Sequence, residues 1–343
     1  MTAFPPLSTG RTLSIMPTFQ CTAACKSCGT LSSPRDATWL RPELMFSAID
    51  QAADNGYSVV VFTGGEATLA GDQLIDGIRH AVQLGLSVRL VTNAWWASDI
   101  ENARQSVANY REAGLSEINF STGDQHRRFV PIENVIHATE AAIEHGLPVG
   151  IMIEVINSRT TMKETVQNHP EYIRLSREFP NAQVVIHESP WMPLSPMRTY
   201  SYPEGLAANR NNLAVRTGCD SVLGTTTIQA DGRIGACCGL GMRLIPELQI
   251  GTIEETSLED ADKRAADDFL KRWIRVEGPE RILAWAAEID QNIEWEDMYA
   301  HRCQACLRLY KDPKVRHVIL QHHHEKLADV LFGEWLLFGY AGC

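Results

Sequence analysis

Short apolar segments alternate with longer amphipathic segments over the first 190 residues of this 343-residue chain. The apolar segments are rich in β-branched residues, which is typical of strands, and the segments between them repeat their apolar positions at the period of a helix. The predicted strands are 12–17, 58–63, 87–92, 117–122, 148–153 and 183–188. The predicted helices are 41–55, 71–84, 99–113, 132–145 and 170–179. This alternation predicts an α/β fold with a parallel sheet, and periodicity alone allows either a barrel or a doubly wound sheet.

The pattern changes after residue 190. Residues 191–216 carry several prolines among Trp191, Tyr200 and Tyr202, which indicates an irregular connector over the mouth of the barrel. Two strand-like segments then flank Asp231-Gly232, a residue pair favoured in hairpin turns. These two segments are 225–229 and 233–237, and helical patterns follow at 258–274, 279–287 and 315–337.

Four regions are therefore predicted. They are an α/β domain at 1–190, the connector at 191–216, a small α+β unit at 217–310 and a helical tail at 311–343.

Charge and cysteine content narrow the class of protein. The net charge is −11 and the pI is about 5.5, which argues against binding to nucleic acid phosphates. The chain has no secretory signal pattern, and its apolar stretch at 330–341 is too short to span a bilayer, so we expect a buried C-terminal helix there. Nine cysteines in clustered spacings favour metal ligation in a reducing cytoplasm over a disulfide framework. We therefore expect a cytoplasmic protein with no nucleic acid or membrane partner.

Cys21, Cys25 and Cys28 form a C-x3-C-x2-C run. Thiolates are the ligands that iron–sulfur clusters need. Three thiolates from one loop can hold three irons of a [4Fe–4S] cluster and leave the fourth open, and an open coordination position marks a catalytic metal site. A zinc loop is the alternative, but zinc sites usually pair C-x2-C units, and no fourth ligand lies close by in the sequence.

The predicted second strand ends in Thr63-Gly64-Gly65-Glu66. Two consecutive glycines let the backbone approach a ligand closely and adopt positive φ, and Glu66 offers an acceptor to an ammonium group. In both candidate architectures the functional groups collect at the carboxyl ends of the strands, where this motif lies.

Taken together, the three-cysteine loop and the Gly64-Gly65-Glu66 strand end resemble the signature of the radical S-adenosylmethionine (radical SAM) enzymes. The resemblance implies a partial (β/α)6 barrel whose first [4Fe–4S] cluster binds SAM at the open iron. One electron then cleaves SAM, and the resulting 5′-deoxyadenosyl radical abstracts a hydrogen atom from the substrate. It also implies an electron donor such as flavodoxin or ferredoxin. The implied SAM contacts are Gly64, Gly65, Glu66, Asn93, Ser121 and Glu154.

Ser27 departs from the family pattern, because the family usually has an aromatic residue just before the third cysteine. Asp124 and His126, after the fourth strand, are candidate substrate or acid–base groups, which must lie within hydrogen-bond reach of the reacting group. His126 can instead be a surface or capping histidine. Glu154, if it points inward, can instead form a salt bridge within the barrel.

A second cysteine set lies in the C-terminal half. Cys219 and Cys237 bracket the predicted hairpin, and Cys303 and Cys306 form a C-x2-C pair. Four thiolates fit a fully ligated [4Fe–4S] cluster or a tetrahedral zinc site, and spacing does not separate the two. The arrangement resembles the twitch extension of some radical SAM enzymes, which holds one auxiliary cluster. Cys238 and Cys343 are left over: Cys238 is a candidate hydrogen-atom donor, and an inert thiol is the alternative for both.

Two substrate classes are compatible with this sequence. A small molecule can be oxidised with the auxiliary cluster as electron acceptor, or a ribosomal peptide can be epimerised or cross-linked. Only about twenty residues precede Cys21, too few for a leader-recognition domain, so we expect a small molecule in a biosynthetic pathway. A non-catalytic iron–sulfur or zinc-binding module is a third reading, and it predicts no cleavage of SAM.

Overall fold

A computed structural model describes residues 10–339. Its first 190 residues contain six strands that match the predicted ones within two residues at each end. The strands are β1 (Arg11–Ile15), β2 (Tyr57–Phe62), β3 (Ser87–Thr92), β4 (Glu117–Thr122), β5 (Val149–Val155) and β6 (Val184–Pro190).

The helices between these strands confirm the five predicted ones and add a short helix, α5. They are α1 (Pro42–Asp54), α2 (Asp72–Gln83), α3 (Ile100–Glu112), α4 (Ile132–Glu144), α5 (Lys163–Gln167) and α6 (Pro170–Glu178). In α1, Pro42 occupies the first turn, where its missing N–H is not needed. Met45, Ile49 and Ala52 then follow at helical spacing and are buried, so this face packs on the sheet.

The strand order decides the architecture. β1 to β6 are parallel and lie side by side in sequence order, with no reversal of direction along the sheet. A doubly wound sheet requires a point where the strand order reverses, so that alternative is excluded. The fold is a mixed α/β fold with a parallel sheet, consistent with a partial radical SAM-type barrel.

The C-terminal part continues the same sheet. The predicted hairpin is confirmed as β7 (Thr225–Ile228) and β8 (Arg233–Gly235), and a third strand, β9 (Gln249–Thr252), pairs with β8. β7 pairs in parallel with β1, so the sheet order is β6-β5-β4-β3-β2-β1-β7-β8-β9. The hairpin is therefore fixed directly beside the strand that leads into the three-cysteine loop.

Helices form the rest of the C-terminal part. They are α7 (Leu258–Ala266), α8 (Phe269–Glu277), α9 (Pro279–Ile289), α10 (Arg302–Lys311), α11 (Pro313–His322) and α12 (Leu327–Phe338). The predicted single helix at 258–274 is wrong, because Asp268 caps a new helix by accepting hydrogen bonds from the Leu270 and Lys271 amides. The predicted helix at 315–337 is likewise interrupted, by a turn of 3₁₀-helix at His323–Lys326.

The expected burial of the C-terminal helix is also wrong. Val330 is the buried residue of α12, whereas Phe332, Trp335 and Leu337 are more than half exposed. Glu334 pairs with Arg272 of α8, so one side of α12 packs on the protein while its apolar side faces outward. Among residues 10–339 no helix is long and apolar enough to cross a membrane.

Candidate active site

Cys21, Cys25 and Cys28 lie on one wall of a cavity of about 300 Å³. The carboxyl ends of β2 to β6 supply the opposite walls, as expected for a barrel whose functional groups collect at that edge. From the predicted SAM-contact set, Gly64, Gly65, Glu66, Asn93, Ser121 and Glu154 all line this cavity. The structure therefore brings the predicted cysteine and SAM residues together.

The loop that carries the three cysteines is fixed to the end of β2 by backbone hydrogen bonds. The Gly65 amide donates to the Thr18 carbonyl at 3.0 Å, and the Glu66 amide donates to the Gln20 carbonyl at 2.8 Å. A Cβ atom on Gly65 would lie 2.0 Å from the Gln20 oxygen. Glycine is thus required because the two backbones are too close for any side chain.

Glu66 is buried at this junction and acts as the acceptor for four protein donors. Its carboxylate accepts hydrogen bonds from the Thr68 amide (3.2 Å), the Thr68 hydroxyl (2.7 Å), the Thr92 hydroxyl (2.7 Å) and the Asn93 amide (2.8 Å). Burial raises the pKa of Glu66, while these hydrogen bonds act in the opposite direction. The donors hold the carboxylate in one orientation at the cavity wall.

Asn93 connects the end of β3 to the cysteine loop. Its Nδ2 donates to the Thr22 hydroxyl at 3.0 Å and lies 3.7 Å from the Cys21 sulfur. Its Oδ1 accepts from the Trp95 amide at 3.0 Å, which fixes the side chain from the other end.

The Cys21 and Cys25 thiols have raised pKa values. Burial raises the pKa of Cys21 to about 12, and the neighbouring Glu66 and Cys28 contribute in the same direction. Burial also raises the pKa of Cys25, with contributions from Cys28 and Glu154. Binding of a cationic group would therefore release protons from these thiols, because metal ligation requires the thiolate.

The donor set of the first cavity consists of three thiols from one loop that face the same space. Thiolates are the ligands that a [4Fe–4S] cluster needs, so these three residues fit such a cluster. Within residues 10–339, no group of three His, Cys, Asp or Glu side chains is arranged to hold a single metal ion.

Glu154 and His126 form the far wall of the cavity. Glu154 is 6 % exposed, and its Oε1 accepts hydrogen bonds from the Gln125 amide and, at 3.4 Å, from the His126 amide. Its Oε2 and the His126 Nδ1 are buried and have no hydrogen-bond partner among the described residues. Gly123 makes room for this arrangement, because a Cβ there would lie 2.1 Å from the Glu154 Cγ. The two side chains also face each other, since the His126 Nδ1 lies 3.9 Å from the Glu154 Oε1, within ion-pair distance. The Glu154 Oε2 and the His126 Nδ1 thus keep the capacity to hydrogen-bond a bound molecule.

Asp124 lies elsewhere. Its carboxylate accepts three hydrogen bonds, from the Thr160 amide (2.7 Å), the Thr160 hydroxyl (2.9 Å) and the Thr161 amide (2.8 Å), and it does not line the cavity. Burial acts to raise the pKa of Asp124, but these hydrogen bonds outweigh it and the pKa is lowered. Its geometry is that of a residue that anchors the loop after β5, and its catalytic role stays a prediction that this geometry does not favour.

The second cysteine set lines an adjacent cavity of about 430 Å³. Cys303 and Cys306 lie on the first turns of α10, and Cys237 follows β8. Burial raises the pKa of Cys303 to about 12 and raises the pKa values of Cys237 and Cys306 as well, and Cys219 adds to all three shifts. The four predicted ligands line one and the same cavity. Gly239 leaves space among them: a Cβ there would lie 3.2 Å from the Cys303 sulfur and 3.4 Å from that of Cys237.

Cys238 lines this second cavity and not the first. It is exposed, and its thiol lies 3.1 Å from the Ser221 hydroxyl. Its role as a hydrogen-atom donor stays a prediction. Cys343 lies outside the described residues.

The two cavities share a wall, formed by Ser189, Pro190, Leu240 and His301. A backbone hydrogen bond also connects the two cysteine-bearing segments: the Gly241 amide donates to the Gly29 carbonyl at 2.7 Å.

Sequence reasoning missed His301. Its ring accepts a hydrogen bond from the Cys303 amide at 3.2 Å, and burial lowers its pKa to about 4. The only sequence signal was its position two residues before the C-x2-C pair, where a residue that caps α10 is expected.

The connector covers the cysteine loop. The Trp191 indole donates to the Lys26 carbonyl at 2.9 Å, and the Tyr200 hydroxyl lies 3.1 Å from the Ser27 hydroxyl. Trp191 also lines the first cavity and packs edge-on against His126, with ring centres 5.8 Å apart. The connector thus brings aromatic side chains to the part of the loop where Ser27 replaces an aromatic residue.

Residues 15–168 match the sequence profile described as the Radical SAM superfamily. This segment is similar to the radical SAM domains. The match begins at the last residue of β1 and continues past β5, and it includes the cysteine loop and the Gly64-Gly65-Glu66 strand end. A domain of this family implies SAM and a [4Fe–4S] cluster, and the cavity wall of Cys21, Cys25 and Cys28 has the donors that such a cluster needs.

Solved structures extend the likeness in fold beyond the radical SAM domain. Native anSMEcpe with bound AdoMet and Cp18Cys peptide superposes with a TM-score of 0.53 at 14% identity, over 90% of this chain and 99% of that one. Hexahistidine-tagged anSMEcpe with bound AdoMet gives 0.54 at 15% identity, over 91% and 99%. BtrN in complex with AdoMet and 2-DOIA gives 0.47 at 10% identity, over 79% and 89%. At these identities the likeness is one of fold alone. A search of the curated proteins finds no match.

Arg243 fixes the radical SAM cysteine loop from the C-terminal side. Its guanidinium lies 3.4 Å from the centre of the Phe19 ring, and its Nη1 donates to the Thr30 carbonyl at 2.7 Å. We expect Arg243→Ala to lower the free energy of unfolding by about 2 kcal/mol, since it removes a cation–π contact and a charged hydrogen bond, and to weaken iron retention by the loop. Arg79→Ala is the control, because Arg79 pairs with Asp76 within α2. Equal urea unfolding midpoints and iron contents in the two variants would contradict this prediction.

Proposed function

We propose that this chain is a radical SAM enzyme that dehydrogenates a small molecule, with a second [4Fe–4S] cluster on Cys219, Cys237, Cys303 and Cys306 as the electron acceptor. The observation that carries the proposal is the shared wall between the two cysteine-lined cavities. A molecule bound at this wall would be close to both sites. When bound, the first cluster and SAM supply a 5′-deoxyadenosyl radical at the cost of one electron from a donor such as flavodoxin or ferredoxin.

The residues of the first cavity have separate tasks in this proposal. Gly64 and Gly65 let the backbone at the end of β2 approach SAM, and Glu66 accepts a hydrogen bond from the SAM amino group. Asn93 and Ser121 place polar side chains at the ends of β3 and β4, next to SAM. Glu154 and His126 face the substrate side, where two buried atoms have no protein partner among the described residues. An unpartnered buried polar atom is costly, so a ligand that supplies the missing hydrogen bonds is favoured there.

The proposed oxidation proceeds in two steps. The substrate loses one hydrogen atom from carbon to the radical, giving 5′-deoxyadenosine. It then loses one proton from a hydroxyl or amine to His126 and one electron to the second site. A carbon–heteroatom double bond forms, and the substrate has lost two electrons and two protons in all.

His126 is the residue that we propose as the proton acceptor, and its replacement tests this role. We expect His126→Asn to slow substrate oxidation by about 10²–10⁴-fold, the usual contribution of a positioned general base. Formation of 5′-deoxyadenosine without substrate should be retained, because His126 contacts no cysteine. His137→Asn is the matched control, since His137 contacts the Ala97 carbonyl on the outer side of the barrel. If His126→Asn lost substrate oxidation and substrate-independent 5′-deoxyadenosine formation to the same extent, the role of His126 as proton acceptor would be contradicted.

Deuterium transfer tests the substrate class. Reconstituted enzyme, reductant and SAM would be incubated with carbon-deuterated sugars, cyclitols and amino acid derivatives, and 5′-deoxyadenosine would be analysed by mass spectrometry. We expect 5′-deoxyadenosine to carry deuterium from one of these compounds. The corresponding product should contain two hydrogen atoms fewer than that compound. Transfer from a peptide instead would support the peptide-modifying alternative and overturn the small-molecule proposal.

A further inference from the structure

Glu280 is a buried carboxylate that the mechanism above does not use. It is the second residue of α9, it is 2 % exposed, and it lines the cavity of the second cysteine set. Its Oε2 is buried and has no hydrogen-bond partner among the described residues. Residues 10–339 likewise contain no cation in salt-bridge contact with it.

The positive charges that face this cavity are already engaged elsewhere. Arg216 donates to the Leu206 carbonyl at 2.7 Å, and Arg302 donates to the Gly218 carbonyl at 2.7 Å. Glu280 and Cys306 line the same cavity, and the charge of Glu280 contributes to the raised pKa of Cys306. The carboxylate therefore borders the space that the cysteines of the second set line.

A buried carboxyl oxygen without a partner is rare, because its desolvation is costly. Its position in the first turn of α9 reduces this cost, since the positive end of the helix dipole favours a negative charge there. A negative charge beside an iron–sulfur cluster opposes the addition of an electron, and net charge is one of the factors that set cluster potentials. The effect is large in a cavity of low dielectric constant.

We propose that Glu280 is part of the second cluster site and that its negative charge lowers the reduction potential of the cluster held there. This inference rests on the proposed function, because it requires a cluster on the four cysteines. Its consequence is that the second site takes an electron only from a strongly reducing donor, such as a substrate radical, and releases it readily.

The test uses the full chain with Cys21, Cys25 and Cys28 all replaced by alanine, so that only the second cluster contributes to the spectrum. In this background Glu280→Gln removes the charge at constant size, Glu280→Asp keeps it, and Glu288→Gln changes an exposed residue of the same helix. The readouts are iron content and a redox titration followed by electron paramagnetic resonance. We expect an upward shift of the midpoint potential in Glu280→Gln, with the aspartate and control variants close to the parent.

The outcomes separate this inference from the function on which it rests. If the triple-alanine parent holds no iron, the second cluster itself is wrong. An intact cluster with an unshifted potential in Glu280→Gln would overturn the role of Glu280 alone, as would loss of the cluster from the glutamine and aspartate variants alike. Loss of the cluster from Glu280→Gln together with its retention in Glu280→Asp would support a requirement for negative charge at this position.

Discussion

Gly65→Ala is expected to reduce 5′-deoxyadenosine formation by about 100-fold, the cost of displacing reacting groups by about 1 Å. A Cβ atom at this position would lie 2.0 Å from the Gln20 carbonyl oxygen and 2.6 Å from its carbon. Neither atom belongs to a flexible side chain, so the cysteine loop and the end of β2 must separate. That movement breaks the hydrogen bonds from the Gly65 and Glu66 amides to the loop. The rate is measured on anaerobically reconstituted protein with SAM and a chemical reductant.

Gly146→Ala is the matched control for this change. Gly146 has φ of +67° and no atom within 4 Å of the new Cβ. It precedes β5 at the amino ends of the parallel strands, whereas Gly65 follows β2 at their carboxyl ends. We expect it to lower the free energy of unfolding by about 1 kcal/mol through backbone strain alone and to leave SAM cleavage unchanged. Equal loss of SAM cleavage in the two variants would contradict a specific role for the close backbone contact at Gly65.

The double variant Cys303→Ala/Cys306→Ala is expected to lose half of the iron. Each [4Fe–4S] centre contains four irons when fully loaded, so the unaltered chain should bind about eight irons and the variant about four. Substrate oxidation should be lost because the electron acceptor is gone. Substrate-independent cleavage of SAM should persist, because the first three cysteines lie in a separate cavity.

Cys238→Ala is the control for the double variant. Cys238 lines the same cavity but is exposed, and its thiol lies 3.1 Å from the Ser221 hydroxyl. We expect it to keep about eight irons. An unaltered chain that binds about four irons and one zinc would contradict the second cluster, and so would a double variant that keeps its full iron content.

The sequence predicted the barrel and its SAM cavity because both depend on local signals. The strands β1 to β6 are short segments rich in β-branched residues. The three cysteines of the loop lie within a few residues of one another, and Gly64, Gly65 and Glu66 are consecutive. Asp231-Gly232 predicted its hairpin for the same reason. Periodicity did not distinguish a barrel from a doubly wound sheet, because strand order is a non-local property that only the pairing of strands reveals.

The features that sequence reasoning missed depend on contacts between distant segments. His301 reaches the wall between the two cavities only because α10 packs near residues 237–240, and Arg243 reaches Thr30 across more than two hundred positions. Asp124 has the residue type and the strand-end position of a catalytic acid, yet Thr160 and Thr161 engage both of its carboxylate oxygens. The sequence predicted that α12 is buried because its residues are mostly apolar. An apolar segment does not reveal which of its side chains pack against the protein and which are exposed.

The most direct test of the account is reductive cleavage of SAM by the anaerobically reconstituted full chain. Its rate would be compared with that of the variant in which Cys21, Cys25 and Cys28 are all alanine. We predict 5′-deoxyadenosine and methionine in equal amounts from the unaltered chain, and none above background from the variant, with the second cluster still present in its spectrum. No 5′-deoxyadenosine from the unaltered chain, or undiminished formation by the triple variant, would contradict the account.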